Sequence, residues 1–201
     1  MTTVSPIQRW QIVKWSTIFI AIAFCLILLV NGINEASWRI AIRFTARTSC
    51  LLFLLAFTAS SLRRLQSTPL TNWLVTNRRY LGLSMAISHG FHALAIAGVA
   101  ISTSENLVRD NHHANFSYLF IILMAITSFK RPAATIGRRN WRILHTVGMY
   151  CLWLSFLVGF STRLSESWLI YASFTIVLLL AVILRFVSKN KQIFKKWIHR
   201  V

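Results

Sequence analysis

Apolar residues come in long runs along this chain, separated by short polar stretches rich in arginine. A bilayer core of about 30 Å takes roughly 20 apolar residues as a helix. Six segments approach that length: residues 15–30, 40–62, 80–101, 115–129, 141–161 and 168–187. The pattern predicts an all-α integral membrane bundle of six transmembrane helices. The fourth segment is the shortest, and its outer boundary is the least sharply marked.

The polar positions orient the bundle. Arg9 and Lys14 precede the first span. Arg63, Arg64, Arg78 and Arg79 lie between the second and third, and Lys130, Arg131, Arg138, Arg139 and Arg142 between the fourth and fifth. Arg185, Lys189, Lys191, Lys195, Lys196 and Arg200 close the chain, so 17 of the 22 basic residues fall on one side. The other connections hold Arg39, Arg109 and Arg163 together with all four acids, Glu35, Glu105, Asp110 and Glu166. The positive-inside rule then places both termini in the cytoplasm, which an even number of spans requires. The expected location is the cell membrane, and for a bacterial chain the inner membrane.

Composition supports this and narrows it. Hydrophobic residues make up 56% of the 201 and charged residues 13%, about half the charged share of soluble domains. Mean hydropathy is +0.59. The length suits one membrane domain over residues 1–201, with a six-helix core at about 10–187 and a basic tail at 188–201. The tail sequence KNKQIFKKWIHR is expected to lie along the anionic inner leaflet. The formal charge of +18 does not point to nucleic acid, because the basic residues are spread between apolar runs as topology signals. Cys25, Cys50 and Cys151 lack CxxC spacing and read as buried free thiols. The first apolar stretch reads as a retained span rather than a cleaved leader.

Candidate chemistry rests on histidines. His112 and His113 fall in an outer loop and His199 in the tail, where solvation is expected. His89, His92 and His145 fall inside predicted spans. His89 and His92 are three residues apart and so share a helix face, with Gly82, Met85, Ala86, Ala93 and Ile96. Around His145 the corresponding residues are Gly148, Met149, Leu152, Ser155 and Gly159. Small residues beside a histidine suit close helix packing, and they equally suit a flat macrocycle. Neutral imidazole is a good iron ligand, and two histidines on different helices can clamp a haem. A structural zinc site needs about four ligands, and neither Cys nor acid joins these histidines. A proton relay would recruit Asp or Glu inside the membrane, and the spans hold none. The plain alternative is that each histidine hydrogen-bonds a neighbouring helix. Arg43 and Arg47, one turn apart near the outer end of the second span, either snorkel to the interface or meet a buried anion such as a cofactor carboxylate.

Several motifs together resemble the ferric reductase-like transmembrane domain family. They are Arg78-Arg79-Tyr80-Leu81-Gly82-Leu83 with His92 downstream, and Trp141-Arg142-Ile143-Leu144-His145 preceded by Thr127-Ser128-Phe129 and Ile136-Gly137. The family includes the membrane cores of ferric reductases and NADPH oxidases and the haem-binding membrane subunit of the bacterial methionine sulfoxide reductase system. The resemblance covers about residues 10–187. It implies a membrane b-type cytochrome with haem between the third and fifth spans, passing electrons across the bilayer as a component of an oxidoreductase. No segment resembles the flavin domain of full-length reductases, so the implied donor or acceptor is a separate protein or quinol. Two-haem members pair histidines 13–14 residues apart on both spans. Here the corresponding positions are Val158 and Arg78, which implies at most one haem b.

Three readings follow. The first is one haem ligated by His145 and by His92 or His89, with Arg43, Arg47, Arg78 or Arg79 at its propionates. The family pattern points to His92. It lies about 20 Å along the helix from Arg79, whereas His145 lies about 5 Å from Arg142. That depth difference points instead to His89, and Met85 is closer still. The second reading is a descendant of the family that has lost haem and serves as a structural or regulatory membrane subunit. The third, a small transporter or channel, is disfavoured by the lack of membrane acids and of Gly/Pro-broken span pairs.

Overall fold

The computed structural model describes residues 7–103 and 112–198. The protein is all-helical, about 90% helix, and the described residues form six helices: α1 Trp10–Asn31, α2 Glu35–Leu65, α3 Pro69–Thr103, α4 His112–Ile126, α5 Lys130–Ser161 and α6 Trp168–Ile198. Five of them are long and apolar enough to cross a membrane. The fourth has 15 residues, about 22 Å at 1.5 Å per residue, and falls short of the bilayer core. Large apolar side chains stand exposed along these helices, among them Phe19 at 61%, Leu29 at 79% and Leu169 at 80%. Such a surface suits a multi-pass membrane protein and not a chain bathed in water.

Local signals explain where helices start and stop. Gly32 follows α1 at φ 77°, a left-handed position that glycine takes without penalty. Asn34 then caps α2, its Oδ1 accepting the Ser37 amide at 3.0 Å, and Glu35 stands in the first turn, favourable to the helix dipole. Thr68 caps α3 by accepting the Thr71 amide at 3.2 Å, while the Thr71 hydroxyl accepts the Thr68 amide at 2.9 Å. Pro69 fills the first helical position, where its missing N–H costs nothing.

Most helices run past their apolar segments. Arg78 and Arg79, expected in a connection, lie inside α3. Lys130, Arg131, Arg138, Arg139 and Arg142 lie inside α5. The basic stretch after 187 continues α6 to Ile198. Hydropathy marks the part of a helix that fits the bilayer, whereas backbone hydrogen bonding continues through lysine and arginine, which are good helix formers. His112 and His113 open α4 and are not loop residues. His199, Arg200, Glu105, Arg109 and Asp110 lie outside the described residues. All three cysteines are free, but only Cys50 is buried; Cys25 is exposed and Cys151 intermediate.

The chain forms two compact units. Unit 1 comprises Met1–Phe53 and Arg79–Asn115. Its core is Phe24, Ala41 and Ala95, with Trp38, Ile42 and Phe91 packed around them. Phe24 lies against both Trp38 and Phe91. Hydroxyls also tie its helices together, since Ser16 donates to Ser84 at 2.8 Å and Ser49 to Ser88 at 2.9 Å. Unit 2 comprises Leu54–Arg78 and Phe116–Val201. There Trp153 Nε1 donates to the Leu178 carbonyl at 2.9 Å, Phe160 stacks on Phe174, and Ser117 meets Ser155.

Helix α5 breaks at Gly137, which has φ 76° and ψ 158°. That region is essentially reserved for glycine. The break separates residues 130–136 from a 138–161 stretch that carries His145. Gly137→Ala is expected to destabilise the protein by about 1–3 kcal/mol, read as thermal unfolding in detergent. A Cβ would meet nothing within 4 Å at Gly137 or at Gly159, so the penalty is conformational, and Gly159→Ala should leave the midpoint nearly unchanged. Equal midpoints for the two variants would remove Gly137 as the cause of the break.

Candidate cofactor site

In unit 1, His92 sits on α3 opposite α2. Its Nδ1 lies 3.0 Å from Thr45 Oγ1 and 3.2 Å from the Ile42 carbonyl oxygen. The carbonyl can only accept. Thr45 Oγ1, which also lies 2.7 Å from the Ala41 carbonyl oxygen, can take either role. The Ile42 contact assigns the proton to Nδ1. A neutral His92 therefore carries its lone pair on Nε2. Histidines that ligate a metal through one ring nitrogen commonly have the other N–H held in this way by a carbonyl or another acceptor.

His89 lies one turn earlier on the same face, its ring centre 5.0 Å from that of His92. Met85 is buried at 4% exposure. The α2 face that meets α3 carries Ala41, Thr45 and Ser49. Arg43 and Arg47 lie two positions to either side of Thr45, about 200° around the helix from it. They are half-buried, eight and twelve residues past Glu35. At the start of the unit's α3 segment, the Arg79 guanidinium lies over the Tyr80 ring.

In unit 2, His145 stacks on Trp141, with ring centres 4.3 Å apart. Its Nε2 lies 3.0 Å from Thr127 Oγ1. Thr127 Oγ1 also lies 2.6 Å from the Leu123 carbonyl oxygen, and either partner of the Thr127–His145 pair can be the donor. The Trp141 indole N–H donates to the Thr127 carbonyl at 2.9 Å, tying both aromatic rings to one residue at the end of α4. His145 thus meets its threonine through Nε2, whereas His92 meets Thr45 through Nδ1. Offering Nε2 to a metal would require giving up Thr127.

The small-residue positions divide likewise. A Cβ on Gly148 would collide with the Met124 side chain, so the space beside that glycine is filled from α4. A Cβ on Gly82 would meet nothing within 4 Å. Among the described residues no three of His, Cys, Asp and Glu cluster as a metal-binding group.

The sequence reading overlooked Thr45 and Thr127 as partners of the two imidazoles. Thr127 falls in the quoted Thr127-Ser128-Phe129 motif, and Trp141 stands four residues before His145, a spacing that puts both on one helix face. Thr45 and His92 are 47 positions apart and carry no local signal.

The fold and these two histidine environments suit one class, a helical multi-pass membrane protein with half-buried imidazoles that each meet a threonine hydroxyl. Compared with family models, curated proteins and solved structures, the chain matches none of the three.

Proposed function

We propose that the protein binds one haem b, which His92 would help to hold and which would let the chain relay electrons in the membrane. The observation that carries this reading is the His92 tautomer, with Nδ1–H held by the Ile42 carbonyl and the lone pair left on Nε2. His145 and His89 are the other candidate ligands. Arg43, Arg47, Arg78 and Arg79 are the candidates for the propionates. When bound, the haem supplies a one-electron couple. Thr45 and Ile42 orient the imidazole and raise its basicity, and the surrounding apolar helices limit access of water. The donor or acceptor is a separate protein or quinol. The location is the cell membrane, the inner membrane in a bacterium, with both termini in the cytoplasm.

A second reading has its own observation. His145 Nε2 is already engaged by Thr127, as in a histidine that only joins two helices, and a haem-free structural or regulatory subunit would need no more. Thr127→Val separates the two. If His145 ligates iron, Thr127→Val retains haem in the reduced-minus-oxidised spectrum and His145→Ala loses it. If His145 is structural, neither variant carries haem, and Thr127→Val lowers stability by about 1 kcal/mol.

A further inference from the structure

We infer that Arg64, Arg78 and Arg185, gathered along one face of α2 in unit 2, bind the phosphate of an anionic lipid headgroup. Phe57, Ser60 and Arg64 recur on α2 at three- and four-residue intervals and so form one ridge. Arg78 Nη1 donates to Ser60 Oγ at 2.9 Å. One turn away, Arg185 Nη1 donates to the Phe57 carbonyl oxygen at 3.2 Å, and its guanidinium lies 4.3 Å from the Phe57 ring centre and 5.0 Å from that of Tyr150. The charges of Arg64 and Arg185 both act repulsively on Arg78.

Like charges held together ordinarily mark a place where an anion belongs. The unit cannot supply one. Glu166 is the sole carboxylate in its sequence, and it serves Arg163 and Tyr171. Nor is the site closed, since Arg64 and Arg78 are exposed and Arg185 is half-buried. The surface beside Arg185 is apolar, with Ile183, Phe186 and Val187 each more than half exposed, and Lys189 and Lys191 follow. An arginine cluster at the point where an apolar helix surface turns basic meets lipid phosphate at the membrane interface. Two guanidiniums fixed by Ser60 and by the Phe57 carbonyl are poised for that contact. This inference does not rest on haem binding, and Arg78 is the one residue that the two readings share.

Native mass spectrometry of the purified, delipidated full chain tests it, with phosphatidylglycerol and phosphatidylcholine as probes. Phosphatidylglycerol is expected to bind at least about 5-fold more tightly than phosphatidylcholine, and Arg78→Gln with Arg185→Gln to weaken it by about 25-fold, at about 5-fold per arginine. Arg131→Gln, outside the cluster, should change nothing. Arg185 also packs on two rings, so the exposed Arg64→Gln serves if the double variant does not fold, with an expected loss of about 5-fold. Equal binding of the two lipids by the unaltered protein would overturn the inference. So would full displacement of phosphatidylglycerol by excess inorganic phosphate, or a loss of haem in Arg64→Gln with lipid binding unchanged.

Discussion

Replacing His92 by alanine is expected to abolish haem binding, leaving no Soret band in protein purified from haem-replete cells. His89→Ala should retain most of it. The two histidines share one face of α3, so composition and helical spacing do not separate them. The hydrogen bonds around His92 do, because the Ile42 carbonyl requires the Nδ1–H tautomer and Thr45 meets the same nitrogen. Thr45→Val removes one of these contacts while preserving shape and should weaken haem retention by about 10–100-fold, the usual effect of losing an outer-shell partner. A His89→Ala variant without haem, beside a His92→Ala variant that keeps it, would transfer the axial role to His89.

The second large effect is expected at Gly98→Ala. A Cβ there would overlap the Cδ2, Cε2 and Cε3 atoms of the Trp38 indole. That ring lies against Phe24 in the core of unit 1, so it has little room to retreat. Overpacking of this kind costs about 1–3 kcal/mol. Gly90, on the same helix, has nothing within 4 Å of a Cβ, and Gly90→Ala should be neutral or slightly stabilising, since alanine is the better helix former. Trimming the ring in a Trp38→Leu, Gly98→Ala double variant should recover part of the loss. If Gly98→Ala unfolds at the same temperature as Gly90→Ala, the α2–α3 packing described for unit 1 is wrong.

Helix number and kind were legible from the sequence because bilayer-length apolar runs leave few alternatives. Helix ends were less so. Arg78 and Arg79 look like a connection because they are charged, yet Thr68 and Pro69 start α3 well before them. The Gly137 break falls among polar residues, where hydropathy carries no information. At the candidate site, the histidines stand out as polar residues in apolar runs, and Gly82 and Gly148 look alike as small neighbours. Their difference depends on Met124, which fills the space at Gly148 from another helix. The ring nitrogens engaged at His92 and His145 depend likewise on a threonine from α2 and one just past α4, so this difference had no sequence signature.

The central claim is that the chain holds one haem b, and the haem-to-protein ratio of the full-length protein tests it most directly. The measurement is a reduced-minus-oxidised spectrum on folded, monodisperse protein purified with ample haem supply. The account predicts a b-type spectrum at one haem per chain. Folded protein from the same cells with no Soret band would contradict it.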